Sequence, residues 1–497
     1  MSALPEAALQ AVLPEGRLYI DGKLRSATGN KTFDNISPWT GKVVGKAADA
    51  SEADVEAAIA SARRAFDTTD WATNHQKRLT LVKKLYDLFV ANKPRLSEIA
   101  RHEVGAARLA VDRAQVATCL DSWKQLMDVF PKLDWEKDYG SGEAFGFTSK
   151  RKAVYEAIGV VGAITPWNFP LYVNAEKVVS ALLAGCTVIL KPAPDTPLAG
   201  VIFGELAQEA GFPPGVLNVI TSLDPAMAGE KLVKDPRVDL ITFTGSTAIG
   251  KRIMREGAET LKRVFLELGG KSAKIILEDT PNFAMDVAQS ILVFHAGQGC
   301  AVTSRLLVPK SRYAEAVAVL KKAYEAFSDK WGHFDDPACP MGPVISQKQL
   351  ERVKAYVDLG IKEGATLIAG GKIRPDKGGG YFIEPTCFVD VKNSMCIAQE
   401  EIFGPVLVVI PFEDDEDAIR IANDSIYGLS GAVSSGSLER SMKVANRIRT
   451  GTISVNGGVP ITGDLPFGGY KHSGIGRAWG LEGIDEYRET KVLGWRV

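Results

Sequence analysis

The chain is short of several things, and each shortage excludes something. Six cysteines in 497 residues (Cys119, Cys186, Cys300, Cys339, Cys387, Cys396) include no CxxC pair. A zinc ribbon or thioredoxin-type centre is therefore not expected, no metal site is read, and a reducing compartment is the default. There is no surplus of positive charge: 59 Lys plus Arg stand against 60 Asp plus Glu, a formal net charge of −1. The basic footprint of a dedicated nucleic-acid binder is missing, although a local site can still take an acidic ligand. No run approaches the ~20 uninterrupted apolar residues of a membrane-spanning helix. The longest apolar stretches, near 157–166 and 402–412, are broken by Gly and Pro. The N-terminal MSALPEAALQAVLPEGRLYIDG lacks a basic stretch leading into an apolar core, so it does not read as a secretory signal. Internal repeats and low-complexity tracts are absent. The expectation is a cytosolic protein with neither nucleic acid nor membrane as partner.

What is present is globular: 45% hydrophobic and 24% charged residues, enough chain for about three domain-sized units. Ser51 and Asp54 form a capping-box-like pair, and Val55, Ile59, Ala62 and Phe66 then fall on one helical face. Helical pattern continues from about residue 78 to 130. Between 132 and 152 the composition turns polar, Gly-containing and aromatic, which reads as an arm or hairpin outside the main core, or as a plain surface loop. From Tyr155 the pattern alternates. AIGVVGAITPW and CTVILKP read as strands, a helix spans Leu198 to Ala210 and stops at Gly211, and GVLNVI and VDLITFTG read as further strands. Strand–helix alternation with short loops argues a parallel sheet covered on both faces. A second series follows ELGGKSAKIIL, and the tail ETKVLGWRV is strand-like. The acidic run 413–417 reads as a solvated helix start.

Five places can carry chemistry. Cys300 follows Gly297-Gln298-Gly299, after a helix read from Thr280 through Val287, Ile291 and Phe294 to Gly297. With AVTS read as helical, Cys300 would sit on a Gly-hinged turn at a helix N-terminus, where backbone N–H groups favour a thiolate. Its plainer alternative is an inert half-apolar cysteine. Glu267 ends the apolar strand RVFLE before Gly269 and Gly270. It is either a desolvated general base or half of an ion pair with a nearby Lys. Asn168, in the Pro-stiffened TPWNFP, can donate to an oxyanion or cap a turn. Lys191 leaves the end of a strand, where open α/β sheets bind ligands. FTGST offers Gly245 and a helix start to a phosphate, or is simple connection chemistry.

Taken together and in order, these segments resemble the aldehyde dehydrogenase superfamily. TPWNFP, LKPAPDTP, GFPPGVLNVI, FTGST, LELGGKS, GQGC, EEIFGPV and PFGGYKHSGIGR carry the resemblance across nearly the whole chain. It implies an α/β fold: a Rossmann-like NAD(P)-binding domain (1–131 with 151–265), an α/β catalytic domain (266–466) and a β oligomerisation arm (132–150 with 482–497). It also implies homodimers or dimer-of-dimers homotetramers. By motif, Cys300 is the nucleophile, Glu267 the general base, and Asn168 with the Cys300 N–H the oxyanion donors. Lys191 would bind the adenosine ribose, Gly245 and Ser246 the pyrophosphate, and Glu401 the nicotinamide ribose. Ile164, Trp167, Leu268 and Phe403 would line the cofactor side, and Lys177 would lie beside the catalytic chamber. The implied reaction is oxidation of an aldehyde to its acid through a thiohemiacetal and a thioester. Glu267 separates this branch from the CoA-acylating one, which lacks the base.

The pattern departs from the family at two positions. Pro194 stands where the family often has a Glu that binds both adenosine ribose hydroxyls, so NAD is expected and NADP becomes acceptable. Ala478 in Gly476-Arg477-Ala478 replaces a Glu assigned to a proton relay with the base. The tunnel positions Tyr172, Val173, Phe294, Ile461 and Phe467 are apolar or aromatic, with no Arg among them. Dicarboxylate semialdehydes and sugar phosphates usually need one. A hydrophobic or aromatic aldehyde is therefore expected. The alternatives are a semialdehyde substrate, a non-catalytic structural homologue, and a cofactor-free thiol esterase.

Overall fold

The structure, a computed structural model, describes residues 12–328 and 330–497. The first eleven residues, and with them half of the segment read as lacking a secretory signal, lie outside the described residues.

Five short runs rich in Val, Ile, Leu and Thr form the parallel core of the first sheet: Val160–Ile164 (β1), Thr187–Lys191 (β2), Leu217–Val219 (β3), Leu240–Thr244 (β4) and Arg263–Glu267 (β5). The spatial order is β5-β4-β1-β2-β3, extended by Gly474–Ile475 at one edge and by Leu18–Ile20 and Lys23–Arg25 at the other. Alternate residues serve two cores. Val161, Ala163, Val188 and Leu190 face one, and Val160, Ile189 and Ile241 face the other. The sheet is thus covered on both sides, as continuous apolar strands require. The Ser51/Asp54 pair caps helix α1 (Glu52–Thr68) reciprocally. Helix α2 (Pro170–Ala184) stops at left-handed Gly185, and helix α3 (Leu198–Ala210) at left-handed Gly211. The chain leaves β1 toward β2 but returns to β1's other side with β4, so the loops after β1 and β4 diverge and open a crevice at the strands' carboxyl ends.

The second sheet is built on Ala273–Ile276 (β6), Arg305–Pro309 (β7), Val406–Phe412 (β8) and Gly431–Ser434 (β9), also parallel, in the order β8-β7-β6-β9. A third sheet, antiparallel and three-stranded, pairs Arg488–Arg496 and Glu136–Ala144 with Phe147–Ala157.

Three boundaries differ from the sequence reading. The chain passes from the first sheet to the second after Glu267, because Glu267 is still in register with Thr244. The arm expected to end at 150 continues as a strand to Ala157, held by pairing with Arg488. Residues 482–485 belong to the helix Gly480–Asp485. Among the described residues no helix is long and apolar enough to cross a membrane.

Arg305 ties the sheet crossing down. Buried, it donates to the carbonyls of Lys271, Ile421 and Ala422 at 2.9, 3.0 and 2.9 Å and to Asn393 Oδ1 at 2.9 Å. Arg305→Met leaves these acceptors unsatisfied. It should cost about 3 kcal/mol and lower the calorimetric Tm; an unchanged Tm would show that these bonds contribute nothing net.

Candidate active site

The crevice holds two adjoining cavities. The smaller, about 280 Å³, is lined by Trp167, Asn168, Gly245, Ser246, Leu268, Cys300, Glu401 and Phe403, with Gln349 and Arg352. The larger, about 480 Å³, is lined by Ile164, Trp167, Lys191, Pro194, Gly245 and Ser246, with Arg252 and Lys348. They share Pro166, Trp167, Thr244, Gly245 and Ser246. Residues far apart in the chain thus meet along one groove.

Each wall residue is held by its local structure. Asn168 follows β1 in a loop that enters α2 at Pro170, which suits a first helical position. Its Nδ2 donates to the Gln298 carbonyl at 3.1 Å, and its own carbonyl accepts from Gln115 Nε2 at 2.6 Å. The Gln298 side chain in turn accepts the Ile345 N–H at 2.9 Å. The amide and the cysteine turn are therefore fixed to each other. Gly245 follows β4, and Ser246 caps helix α4 (Thr247–Gly257) by accepting the Ile249 N–H. Glu401 accepts the Gly270 N–H at 2.9 Å, and burial pushes its carboxyl up to about 7. Phe403 stands edge-on to Trp167, with ring centres 5.3 Å apart. Lys191 is buried, which lowers its ammonium to about 8, and it donates to the Pro192 carbonyl.

Glu267 lies behind this wall, 3% exposed, with Oε1 lacking a hydrogen-bond partner. Burial, and next the nearby Glu176 carboxylate, hold its carboxyl well above the usual range. Tyr172, Ile461 and Cys300 pack against the apolar core that includes Phe467. Tyr172 lies 5.3 Å from the ring of Trp479, and Phe467 pairs backbone to backbone with Ala478. Val173 is buried within α2 and Phe294 is exposed; none of Glu267, Tyr172, Val173, Phe294, Ile461 and Phe467 lines either of these two cavities.

The cysteine's setting differs from expectation. The helix before it spans only Phe283–Ala288. Thr280 does not cap it, because its hydroxyl donates to the Ser434 carbonyl instead. Ser290 bonds back to the Asp286 carbonyl, a competing bond of the kind that weakens a helix end. His295 and Ala296 then take left-handed φ of 48° and 50°. No helix begins at Cys300, which lies in a turn. Helix-terminal N–H groups are therefore not available to favour the thiolate. Burial, then Glu267, Glu401 and Glu176, push the thiol up instead. Gln349, Arg352 and Glu176 were not read from the sequence. The first two belong to the helix Gln347–Lys362, whose pattern there is that of any amphipathic helix.

The family model for the aldehyde dehydrogenase family matches residues 24–493. The chain is 40% identical over 479 residues to the mitochondrial aldehyde dehydrogenase of Leishmania tarentolae, covering 96% of this chain and 94% of that one. It is 41% identical over 479 residues to the 3-succinoylsemialdehyde-pyridine dehydrogenase of a Pseudomonas species, covering 96% and 97%. The fold superposes on the crystal structure of betaine aldehyde dehydrogenase from Staphylococcus aureus in complex with NAD+, with TM-score 0.93, 35% identity, and 98% and 96% of the two chains covered.

A thiol surrounded by carboxylates should react slowly. In the ligand-free protein, iodoacetamide labelling of Cys300, followed by peptide mass spectrometry, should be slow at pH 7 and still climbing past about pH 9. A rate that has levelled off by pH 7 would reveal a preformed thiolate.

Proposed function

This chain belongs to the aldehyde dehydrogenase family, and on that premise we propose that it oxidises a hydrophobic or aromatic aldehyde to the carboxylic acid, with NAD+ as acceptor and NADP+ tolerated. The observation that carries the reading is that Cys300, Asn168 and Glu401 share one cavity, continuous with the groove of Lys191, Gly245 and Ser246.

The groove's own atoms support a dinucleotide. The hydroxyls of Thr165 and Thr244 are buried there without partners, as polar groups awaiting a ligand are. The N-terminus of α4 opens at Ser246 and suits a phosphate. Lys191 and Glu401 would hold the two ribose ends, with Trp167 and Phe403 flanking the nicotinamide. Pro194 puts no carboxylate where a 2′-phosphate would be repelled. When bound, the cofactor supplies a hydride acceptor.

The protein's own residues do the rest. Cys300 Sγ attacks the aldehyde carbon, and its proton leaves to solvent or a neighbouring carboxylate. Asn168 Nδ2 keeps one hydrogen beyond its bond to Gln298, and with the Cys300 N–H it would hold the developing oxyanion; one such donor is worth about 3 kcal/mol. Hydride loss leaves the acyl group on Sγ as a thioester. Glu267 takes a proton from water, the hydroxide adds to the acyl carbon, and the acid departs as Sγ leaves.

Tyr172, Phe467 and Ile461, with Trp479 behind them, support an apolar substrate. Arg477 directs one guanidinium nitrogen, Nη1, at the carbonyls of Gly469 and Gly476, which favours backbone anchoring over pairing with a second carboxylate. A quaternary-ammonium aldehyde is the second reading. It is favoured by the same aromatic rings, which suit cation–π contact, and by the Staphylococcus structure named above.

The test is a panel of benzaldehyde, octanal, betaine aldehyde and succinate semialdehyde with NAD+ and NADP+. Acid and reduced cofactor should form in equal amounts, and Cys300→Ala should abolish both. Glu267→Gln should keep a pre-steady-state burst while steady turnover falls by about 100-fold. A kcat/KM highest for succinate semialdehyde would refute the substrate class. Absence of reduced cofactor with every aldehyde would refute the enzymatic reading and leave the non-catalytic one.

The third sheet exposes Phe147, Val492 and Trp495, which supports a self-association arm. Val492→Glu with Trp495→Glu should reduce the mass measured by light scattering to that of a smaller assembly. An unchanged mass would place the subunit interface elsewhere.

A further inference from the structure

A buried charge pair stands next to Glu267, and the mechanism above does not use it. Glu176 and Lys177 are consecutive on α2 and both are buried. Lys177 Nζ donates to Glu176 Oε1 at 3.1 Å and to Thr242 Oγ1 at 3.1 Å, and lies 4.6 Å from the centre of the Phe265 ring. In the parallel register of β4 and β5, Thr242 pairs with Phe265 and Thr244 with Glu267. Phe265 and Glu267, two apart on β5, therefore project to the same face. The ammonium is thus laid on the face that carries the base. The Tyr487 hydroxyl reaches the same Thr242 oxygen at 3.3 Å.

Two carboxyl groups and one ammonium in a dry space cannot all be ionised without an excess negative charge, which burial penalises. Lys177 is already committed to Glu176, so it offers Glu267 only part of its charge. The other groups facing Glu267 are Arg477 and Glu486 from the C-terminal segment and Cys300 from the turn. Those facing Glu176 beyond Lys177 and Glu267 are Tyr172, Tyr487 and Cys300. The Arg477 N–H is bonded to Glu486 and its guanidinium to backbone carbonyls. Ala478, buried in the same segment, brings no charge.

We propose that Glu176 is a positioning residue for the hydrolytic half-reaction: by holding Lys177, it sets the proton affinity of Glu267. The proposal rests on the reading of Glu267 as the base that activates water. Its consequence is a base tuned toward the working pH, where general-base catalysis is most effective.

The sign follows from the charges. Glu176→Gln removes a negative neighbour and frees Lys177, and both favour ionised Glu267. The acidic limb of the kcat–pH profile should move down by about one pH unit. Lys177→Met removes the positive neighbour and should move the limb up. The hydride burst, which does not need the base, should keep its amplitude in both variants. Limbs that coincide with wild type, or that move in the same direction, overturn the proposal. If the unaltered protein forms no acid, the functional reading fails first, before any variant is compared. A second readout is direct. In the cofactor-free protein the Glu267 carboxyl, followed by difference infrared titration, should ionise at lower pH in Glu176→Gln than in wild type. An unmoved titration also overturns the proposal.

Discussion

A Cβ at Gly270 would lie 2.5 Å from the Cys300 carbonyl oxygen, and one at Gly269 would meet the Glu401 carboxylate at 2.4 Å. The first clash is with backbone and cannot be relieved, so position 270 of the crossing between the two sheets is open only to glycine; the second could be relieved only by swinging the Glu401 carboxylate off its bond to the Gly270 N–H. Through that crossing the first sheet, which carries Glu267 and the groove, is brought against the second, which anchors the cysteine turn and Glu401. The contact is backbone against backbone on one side and N–H against carboxylate on the other. Both kinds position atoms closely while ordering little flexible side chain, and catalytic groups need that precision because small displacements are costly in rate.

The electrostatics of the joined site run against its chemistry in the free protein. Three carboxyl groups, on Glu267, Glu401 and Glu176, surround a thiol that must become an anion. All three are themselves pushed toward protonation by burial. The site therefore resists each added negative charge, and its sulfur is quiet until something changes the local field. A quiet thiol is also shielded from oxidation, which follows thiolate character.

The sequence announced those parts of the fold that local chemistry dictates. The Ser51/Asp54 cap, the helix stop at Gly211 and the strands within AIGVVGAITPW, CTVILKP and VDLITFTG are all where short-range rules put them. The helix before Cys300 was misjudged because its apolar spacing was right while Thr280 and Ser290 had hydrogen-bond partners that the sequence could not name. Gln349 and Arg352 were invisible for a different reason. They reach the cavity from a helix of the second sheet's layer, and only the docking of the two sheets gives them anything to face. Glu176 is one polar residue in an apolar helix, with no pattern around it to single it out. Its meaning appears only once Lys177, Thr242 and Glu267 are seen to converge.

That convergence is a matter of strand register. Thr244 and Glu267 are paired neighbours at the ends of β4 and β5, so the last step of one strand supplies a groove hydroxyl and the last step of the other the carboxylate next to the sulfur. Two residues earlier, the Thr242 and Phe265 pair receives the Lys177 ammonium on the same face. A slip of one residue between these strands would turn Glu267 toward the core beneath α1 and leave Lys177 over the wrong side chain. The apolar residues beside them prevent it: Leu266 and Ile241 are committed to that opposite core. The hydrophobic pattern that folds the sheet therefore also selects which face is chemical, and it does so with residues that touch no ligand.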